Sequence, residues 1–136
     1  MNAARPDVTP EEPRSQARLL IIDDDPVTCR LLGLQMEMEG YSCTTLVDPD
    51  QVLAVIEEES PSLVLVDYHL GTQDVLDLLH SIRDQEACRN LPIVVMSALD
   101  HRRESVSAGA SGFVLKPFSV QDLMTTIREV LEATEA

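Results

Sequence analysis

Five short runs of apolar residues alternate with helical patterns along most of the chain. Three runs are continuously apolar, which is typical of strands covered on both faces, and two mixed runs predict strands nearer the sheet edges. The apolar runs are Leu19–Ile22, Leu63–Val66 and Ile93–Met96, and the mixed runs are Ser42–Leu46 and Gly112–Leu115. This alternation predicts an α/β fold with a doubly wound, five-stranded parallel sheet. The flavodoxin-like order 2-1-3-4-5 is favoured, because the most apolar strands, the first and third, would then flank the switch point.

The helical patterns are less uniform than the strands. The first places Leu31, Leu34 and Met38 on one face and ends at Gly40. In the fourth helical pattern Val106 is almost the only apolar residue, and Gly109 ends the pattern. A shortened fourth helix is therefore predicted. The second, third and fifth patterns consist of Val52, Val55 and Ile56, of Val75, Leu78, Leu79 and Ile82, and of Val120, Leu123, Met124, Ile127 and Leu131 capped by Ser119.

The length of 136 residues fits one domain with a single core. Residues 1–17, with prolines at positions 6, 10 and 13, predict a disordered N-terminal arm, followed by a domain at 18–133 and a C-terminal tail at 134–136. No apolar run approaches the ~20 residues of a membrane span, and no secretory signal is evident. The sequence therefore predicts a cytoplasmic location without membrane insertion.

The chain is strongly acidic, with 24 acidic and 10 basic residues and a formal charge of -14. A field of this sign repels nucleic acid, so direct nucleic-acid binding is not expected, whereas cations and basic partner surfaces are favoured. The odd set of Cys29, Cys43 and Cys88 has no metal-type spacing and indicates reduced thiols.

Polar side chains follow four of the five predicted strands. Asp23, Asp24 and Asp25 follow the first strand, Asp67 the third, Ser97 the fourth and Lys116 the fifth. The carboxyl ends of parallel strands meet at one edge, where open α/β sheets bind ligands. Crowded carboxylates repel each other unless a cation lies between them, and an all-oxygen donor set suits Mg2+. The Lys116 ammonium and the Ser97 hydroxyl could each donate a hydrogen bond to a phosphoryl oxygen. The Asp67 carboxylate is therefore predicted to attack phosphorus and form an acyl phosphate.

Four segments together resemble the receiver domain of bacterial two-component response regulators, of which the stand-alone chemotaxis regulator is the simplest relative. The segments are LLIIDDDP at Leu19–Pro26, LVLVDYHL at Leu63–Leu70, IVVMSA at Ile93–Ala98 and GASGFVLKPF at Gly109–Phe118. The resemblance extends from about Arg18 to Glu132, and the four segments occur in the family's order.

The resemblance implies a role for each acid. Asp67 matches the phosphoacceptor and would also bind Mg2+. Asp24 would bind the ion directly, Asp23 through a water molecule, and His69 through its backbone carbonyl. Asp25 is an extra acid that is expected to start the following helix.

Three further residues match the family's switching and charge-neutralising positions. Ser97 matches the switch hydroxyl and Lys116 the family's lysine, with Lys116–Pro117 resembling a cis peptide bond. Phe113 matches the switch aromatic, which turns inward once the hydroxyl has moved onto the phosphoryl group. The resemblance implies that the phosphoryl group comes from a sensor histidine kinase or a histidine phosphotransfer protein. Such a domain is not an enzyme for other substrates and catalyses only its own phosphorylation and dephosphorylation.

The chain departs from the family pattern in two places. The family usually has a proline in the loop after the phosphoacceptor, but in this chain Leu70 is followed by Gly71. The loop after Asp67 is therefore expected to be more mobile. The segment from Ser97 to Gly109 is shorter by about one helical turn, ~3.6 residues. Many family members pass on their signal as a dimer whose interface is formed by the fourth helix, fifth strand and fifth helix. We expect this chain to signal without that dimer. His69 and Leu99 occupy positions that tune phosphoryl lifetime in the family.

Two alternatives to the phosphoacceptor remain open. A pseudo-receiver would have the same fold and bind partners without phosphorylation, as the short fourth helix allows. A Mg2+-dependent phosphohydrolase would also use an aspartyl nucleophile, although the sequence has no obvious general acid and no inserted cap.

Overall fold

The structure is a computed structural model that describes residues 17–135. The predicted N-terminal arm therefore lies outside the described residues, apart from Ala17. Among the described helices, none combines the length and the apolar character needed to cross a membrane.

The central sheet has five parallel strands in the order β2-β1-β3-β4-β5. The strands are β1 (Arg18–Ile22), β2 (Ser42–Leu46), β3 (Leu63–Asp67), β4 (Ile93–Ser97) and β5 (Gly112–Leu115). Every residue of β3 and β4 is buried, as the unbroken apolar runs predicted. The predicted fold class and strand order are confirmed.

Five α-helices connect and cover the strands. They are α1 (Pro26–Met38), α2 (Val52–Glu59), α3 (Val75–Asp84), α4 (Arg102–Ser107) and α5 (Val120–Glu135). A short antiparallel hairpin pairs His69–Leu70 with Gln73–Asp74, and single turns of 3-10 helix lie at Pro49–Gln51 and Glu86–Cys88. The last helix runs to Glu135, beyond the domain end predicted at residue 133.

Two apolar layers lie on opposite faces of the sheet. Side chains of α1 and α5, such as Met36 and Ile127, pack on one face. Side chains of α2 and α3, such as Ile56 and Leu79, pack on the other face together with Phe113 of β5. This arrangement leaves the carboxyl ends of the strands uncovered by helices, as in other doubly wound sheets.

The face of α1 that the apolar pattern singled out points to solvent. Leu31, Leu34 and Met38 are 56%, 49% and 85% exposed. The helix instead buries Cys29, Leu32, Gly33 and Met36. A Cβ on Gly33 would lie only 3.0 Å from Thr45 Cγ2, so the glycine permits the close approach of α1 to β2. The apolar pattern predicted the wrong face because it does not include the glycine and cysteine that α1 buries.

The fourth helix is short, as predicted, with six residues. Its buried residue is Ser105, whereas Val106, which was expected to face the core, is 50% exposed. Gly109 follows the helix with a φ of 119°, a conformation that favours glycine. A Cβ at this position would lie 2.8 Å from Arg83 Cγ, so a side chain is excluded on two grounds.

Candidate functional site

Three carboxylates meet at the carboxyl ends of β1 and β3. The register places Ile22 opposite Val66, so that Asp23 and Asp67 are the next residues on neighbouring strands. Ligand oxygens of Asp23, Asp24 and Asp67 all lie within 4.8 Å of one another. Asp23 and Asp67 are buried and Asp24 is exposed, so the cluster opens to solvent on one side.

The ammonium group of Lys116 contacts this cluster directly. Its Nζ donates a hydrogen bond of 2.6 Å to Asp67 Oδ1. The Lys116 backbone N–H donates to the carbonyl of Ser97 at 2.7 Å, which fixes the start of the loop after β5 against β4. The Lys116–Pro117 peptide bond is cis, as predicted. Lys116 is also the only lysine in the sequence, so the chain's one ammonium side chain lies on the predicted nucleophile.

The electrostatic environment of Asp23 favours a bound cation. Burial raises the pKa of this carboxyl above 3.8, and the negative charges of Asp67 and Asp24 act in the same direction. A hydrogen bond from the Asp25 backbone N–H and the charge of Lys116 oppose the rise only in part. Because the folded state holds the Asp23 proton more tightly than the unfolded state does, folding stability falls as pH rises from 3.8 through the raised pKa. A cation at the cluster would offset this cost.

The residues present fit a magnesium ion. The cluster offers carboxylate oxygens from two strand ends, and hard oxygen donors with room for retained water are what Mg2+ prefers. The loop after Asp67 approaches the same place, because a Cβ on Gly71 would lie 3.4 Å from Asp24 Oδ2. Within residues 17–135, no other group of three or more His, Cys, Asp or Glu side chains has such spacing.

Two predicted residues near the cluster have other observed partners. Asp25 Oδ1 accepts a hydrogen bond of 3.2 Å from the Val27 backbone N–H, and Oδ2 accepts one of 2.6 Å from the Thr28 hydroxyl. Asp25 therefore caps α1, as predicted. The His69 backbone N–H donates to Asp67 Oδ2 at 3.1 Å, while the expected role of its carbonyl toward a metal stays a prediction.

The two predicted switch residues lie on neighbouring strands. Ser97 ends β4, is fully buried, and its Oγ accepts a hydrogen bond of 3.2 Å from the Leu99 backbone N–H. Phe113 in β5 is 4% exposed, so its ring has the inward position that the resemblance describes for the switch aromatic. The guanidinium of Arg102 lies over this ring, 5.2 Å from its centroid.

Sequence reasoning missed an apolar surface beside the cluster. A cavity of about 560 Å3 opens between α1 and the loop after β5, and Asp23, Leu31, Lys116 and Phe118 contribute to its walls. The exposed apolar residues of α1 continue this surface. They are Val27, Leu31, Leu34 and Met38. Their separations of four, three and four residues indicate from sequence alone that they share one helix face, although spacing does not tell whether that face is buried or exposed.

A second missed feature is a group of aromatic rings that includes Tyr68, the residue directly after Asp67. The rings of Tyr68 and His101 are parallel, with centroids 3.9 Å apart and planes 8° apart. The His69 ring lies edge-on to both. No periodic pattern predicts such a contact, because the hairpin, α3, a turn of 3-10 helix and β4 separate the two rings in the sequence.

Comparison with protein families gives one match over most of the chain. A family model described as the response regulator receiver domain matches residues 19–128. The matched range includes both strand ends that carry the acids, as well as Ser97 and Lys116.

Curated relatives and solved structures agree with this match. The transcriptional regulatory protein TcrX of Mycobacterium tuberculosis is 29% identical over 119 residues, covering 85% of this chain and 50% of TcrX. The DNA-binding response regulator MtrA of Mycolicibacterium smegmatis is 31% identical over 121 residues, covering 87% of this chain and 52% of MtrA. A CheY-like receiver domain protein from Methanospirillum hungatei is 28% identical, with a TM-score of 0.78 over 88% of this chain and 97% of that chain. The chain thus spans about half the length of the first curated relatives it matches.

Proposed function

Because the chain belongs to the response regulator receiver domain family, we propose that Asp67 accepts a phosphoryl group in a magnesium-dependent reaction. The observation that supports this most directly is the position of the Asp67 carboxylate. It lies in contact with the chain's only lysine, at 2.6 Å, and within ion-binding distance of Asp23 and Asp24. A buried carboxylate between a fixed cation and two further acids has the surroundings that phosphoryl transfer requires.

The proposed reaction forms an acyl phosphate. A carboxylate oxygen of Asp67 attacks the phosphorus of a phosphohistidine, the O–P bond forms, and the P–N bond breaks. The imidazole leaves with the electron pair of that bond and takes up a proton. In the later hydrolysis, water attacks the same phosphorus, and the Asp67 carboxylate leaves as inorganic phosphate is released.

The surrounding residues would hold charge and orientation during this transfer. Lys116 would donate to a phosphoryl oxygen, since its ammonium already lies at Asp67. Asp24, Asp67 and the backbone carbonyl of His69 would hold Mg2+, with Asp23 acting through water. The bound ion would supply positive charge to the phosphoryl oxygens. On this proposal the protein catalyses only its own phosphorylation and dephosphorylation.

The signal would pass to Ser97 and Phe113. The Ser97 hydroxyl would donate to the new phosphoryl group and give up its bond from the Leu99 N–H. A change at the Phe113 ring would alter its packing in the core and its contact with Arg102.

The proposed donor is a sensor histidine kinase or a histidine phosphotransfer protein. The exposed apolar face of α1, Val27, Leu31, Leu34 and Met38, supports docking of such a partner beside the carboxylates. A cytoplasmic location belongs to the same proposal. The net charge of -14 supports protein rather than nucleic-acid partners for the receiver itself.

Intact-mass measurement after incubation with acetyl phosphate and Mg2+ tests this function. We expect one labile adduct of a single phosphoryl group on the wild-type protein, because Asp67 is the buried nucleophile. Asp67→Asn should acquire none. Chelation of Mg2+ should also prevent the adduct, since the acids would again repel one another.

The same experiment separates the two alternatives. A pseudo-receiver would acquire no adduct in either form, which would overturn the proposal. A phosphohydrolase would release phosphate from a generic phosphomonoester over many turnovers, and that outcome would equally count against a receiver. Asp77→Asn, which changes an exposed acid on α3, is the matched control and should behave as wild type.

A further inference from the structure

The fourth helix has little core packing of its own. Only one of its six residues, Ser105, is buried. The Ser105 hydroxyl has no hydrogen-bond partner among the described residues. Surface helices normally dock through a stripe of several apolar side chains, which α4 lacks. Its position must therefore depend strongly on contacts at its ends.

Two consecutive residues at the start of α4 make such contacts. His101 stacks in parallel on Tyr68, with ring centroids 3.9 Å apart. Arg102 places its guanidinium 5.2 Å from the centroid of the Phe113 ring. Tyr68 directly follows β3 and Phe113 lies within β5, so the start of α4 is held by two aromatic rings from separate parts of the sheet.

The Tyr68 ring is attached to the predicted phosphoacceptor by the backbone itself. Tyr68 follows Asp67 directly, and its backbone N–H donates to the Met96 carbonyl at 2.8 Å. The chain beyond it turns at Gly71, which has a φ of 64°. The turn contains no proline, and the Tyr68 side chain is held by ring contacts with His101 and His69 and by packing against one apolar layer of the core.

The surroundings of His101 favour one orientation of its ring. Its Nδ1 lies 3.4 Å from Glu104 Oε2, one helical turn further along α4. Burial raises the pKa of Tyr68, and the negative charges of Glu104 and Asp74 act in the same direction. His69 adds edge-on contacts to both rings, with centroids at 5.5 Å and 6.3 Å.

We propose that His101 is a positioning residue that couples the loop after Asp67 to helix α4 through the stacked Tyr68 ring. This inference rests on the proposed function of Asp67. It adds a route to α4 that is separate from the Ser97–Phe113 pair. A displacement of the Tyr68 backbone when Asp67 is modified would shift the ring, and a parallel contact at 3.9 Å is kept only if His101 moves with it.

Hydrogen exchange measured by mass spectrometry on peptides that cover residues 101–109 tests the coupling. In the unphosphorylated protein, His101→Leu should exchange about threefold to tenfold faster in α4 than wild type, the range expected for the loss of one aromatic pair. His101→Phe should restore the wild-type rate, because it keeps a ring on Tyr68. His80→Leu changes an exposed histidine on α3 and should have no effect.

A double-mutant cycle separates coupling from simple loss of packing. Tyr68→Leu should accelerate exchange in α4 as much as His101→Leu does, and the double variant should be no faster than either single variant. Tyr68→Phe keeps the ring and should match wild type. Additive effects of the two leucine substitutions, or a failure of His101→Phe to restore the rate, would overturn the proposal.

The phosphorylated state gives the second readout. After incubation with acetyl phosphate and Mg2+, exchange in α4 should change in the wild type, and this change should be lost in His101→Leu although its adduct forms. An unaltered response in His101→Leu would contradict the coupling. If the wild type formed no adduct, the proposed function would fail, and the cycle in the unphosphorylated protein would still decide the coupling.

Discussion

Lys116→Gln should slow the phosphorylation of Asp67 by acetyl phosphate about 100-fold. Lys116 is the only lysine in the sequence, and its Nζ donates to Asp67 Oδ1 at 2.6 Å. Negative charge increases around the carboxylate as the phosphoryl group arrives, so a fixed cation stabilises the transition state more than the ground state. The measurement is the initial rate of adduct formation, followed by intact mass at saturating Mg2+.

The control for this experiment removes the same charge elsewhere. Arg103→Gln changes an exposed cation on α4 and should leave the rate within about twofold of wild type, because salt and water weaken the effect of an exposed charge that does not contact the carboxylates. Lys116→Arg should recover only part of the rate, since a planar guanidinium does not replace a compact ammonium. A wild-type rate in Lys116→Gln would show that this contact has no catalytic role.

Arg83→Met should lower the free energy of unfolding by about 3 kcal/mol, because several hydrogen bonds from a charged group are lost. The Arg83 guanidinium donates to the backbone carbonyls of Gly109 at 2.9 Å and Cys88 at 2.6 Å, and to the Ser111 hydroxyl at 3.3 Å. It therefore joins the end of α3 to the segments before β4 and β5. Methionine keeps much of the aliphatic stem, so the loss would report mainly the polar contacts.

Urea denaturation followed by circular dichroism measures this loss. Arg30→Met, at an exposed arginine of α1, is the matched control and should change the free energy of unfolding by less than about 0.5 kcal/mol. If the two variants unfolded at the same urea concentration, the Arg83 contacts would be of minor importance for stability.

The sheet and the location of the site could be predicted because both follow from strong local signals. Unbroken apolar runs identified β3 and β4, and both are buried along their whole length. Asp67 and Ser97 end these strands, and the geometry of a parallel sheet requires strand ends to meet at one edge. The direct contact between Lys116 and Asp67 is one consequence.

Features that depend on what packs against a helix could not be predicted in the same way. The pattern of α1 has apolar residues on two faces, and the sheet accepted the face with Gly33, because a small residue permits close packing against Thr45. In α4 the apolar Val106 is exposed and the polar Ser105 is buried. Helix periodicity locates a face but does not say which of two faces meets the core.

The aromatic contacts beside the site had no sequence signal at all. Tyr68 and His101 meet because a short α4 begins close to the end of β3, which is a property of the tertiary structure. The inward position of Phe113 likewise reflects its packing in the sheet layer and its contact with Arg102.

A crystal structure of the protein with Mg2+ and beryllium trifluoride would test the phosphoacceptor site most directly. We expect the beryllium to be bonded to a carboxylate oxygen of Asp67, with Mg2+ at Asp24 and Asp67 and the Lys116 ammonium on a fluorine. Beryllium trifluoride bound at another residue, or an Asp67 carboxylate left free at saturating ligand, would contradict the assignment of Asp67 as the acceptor.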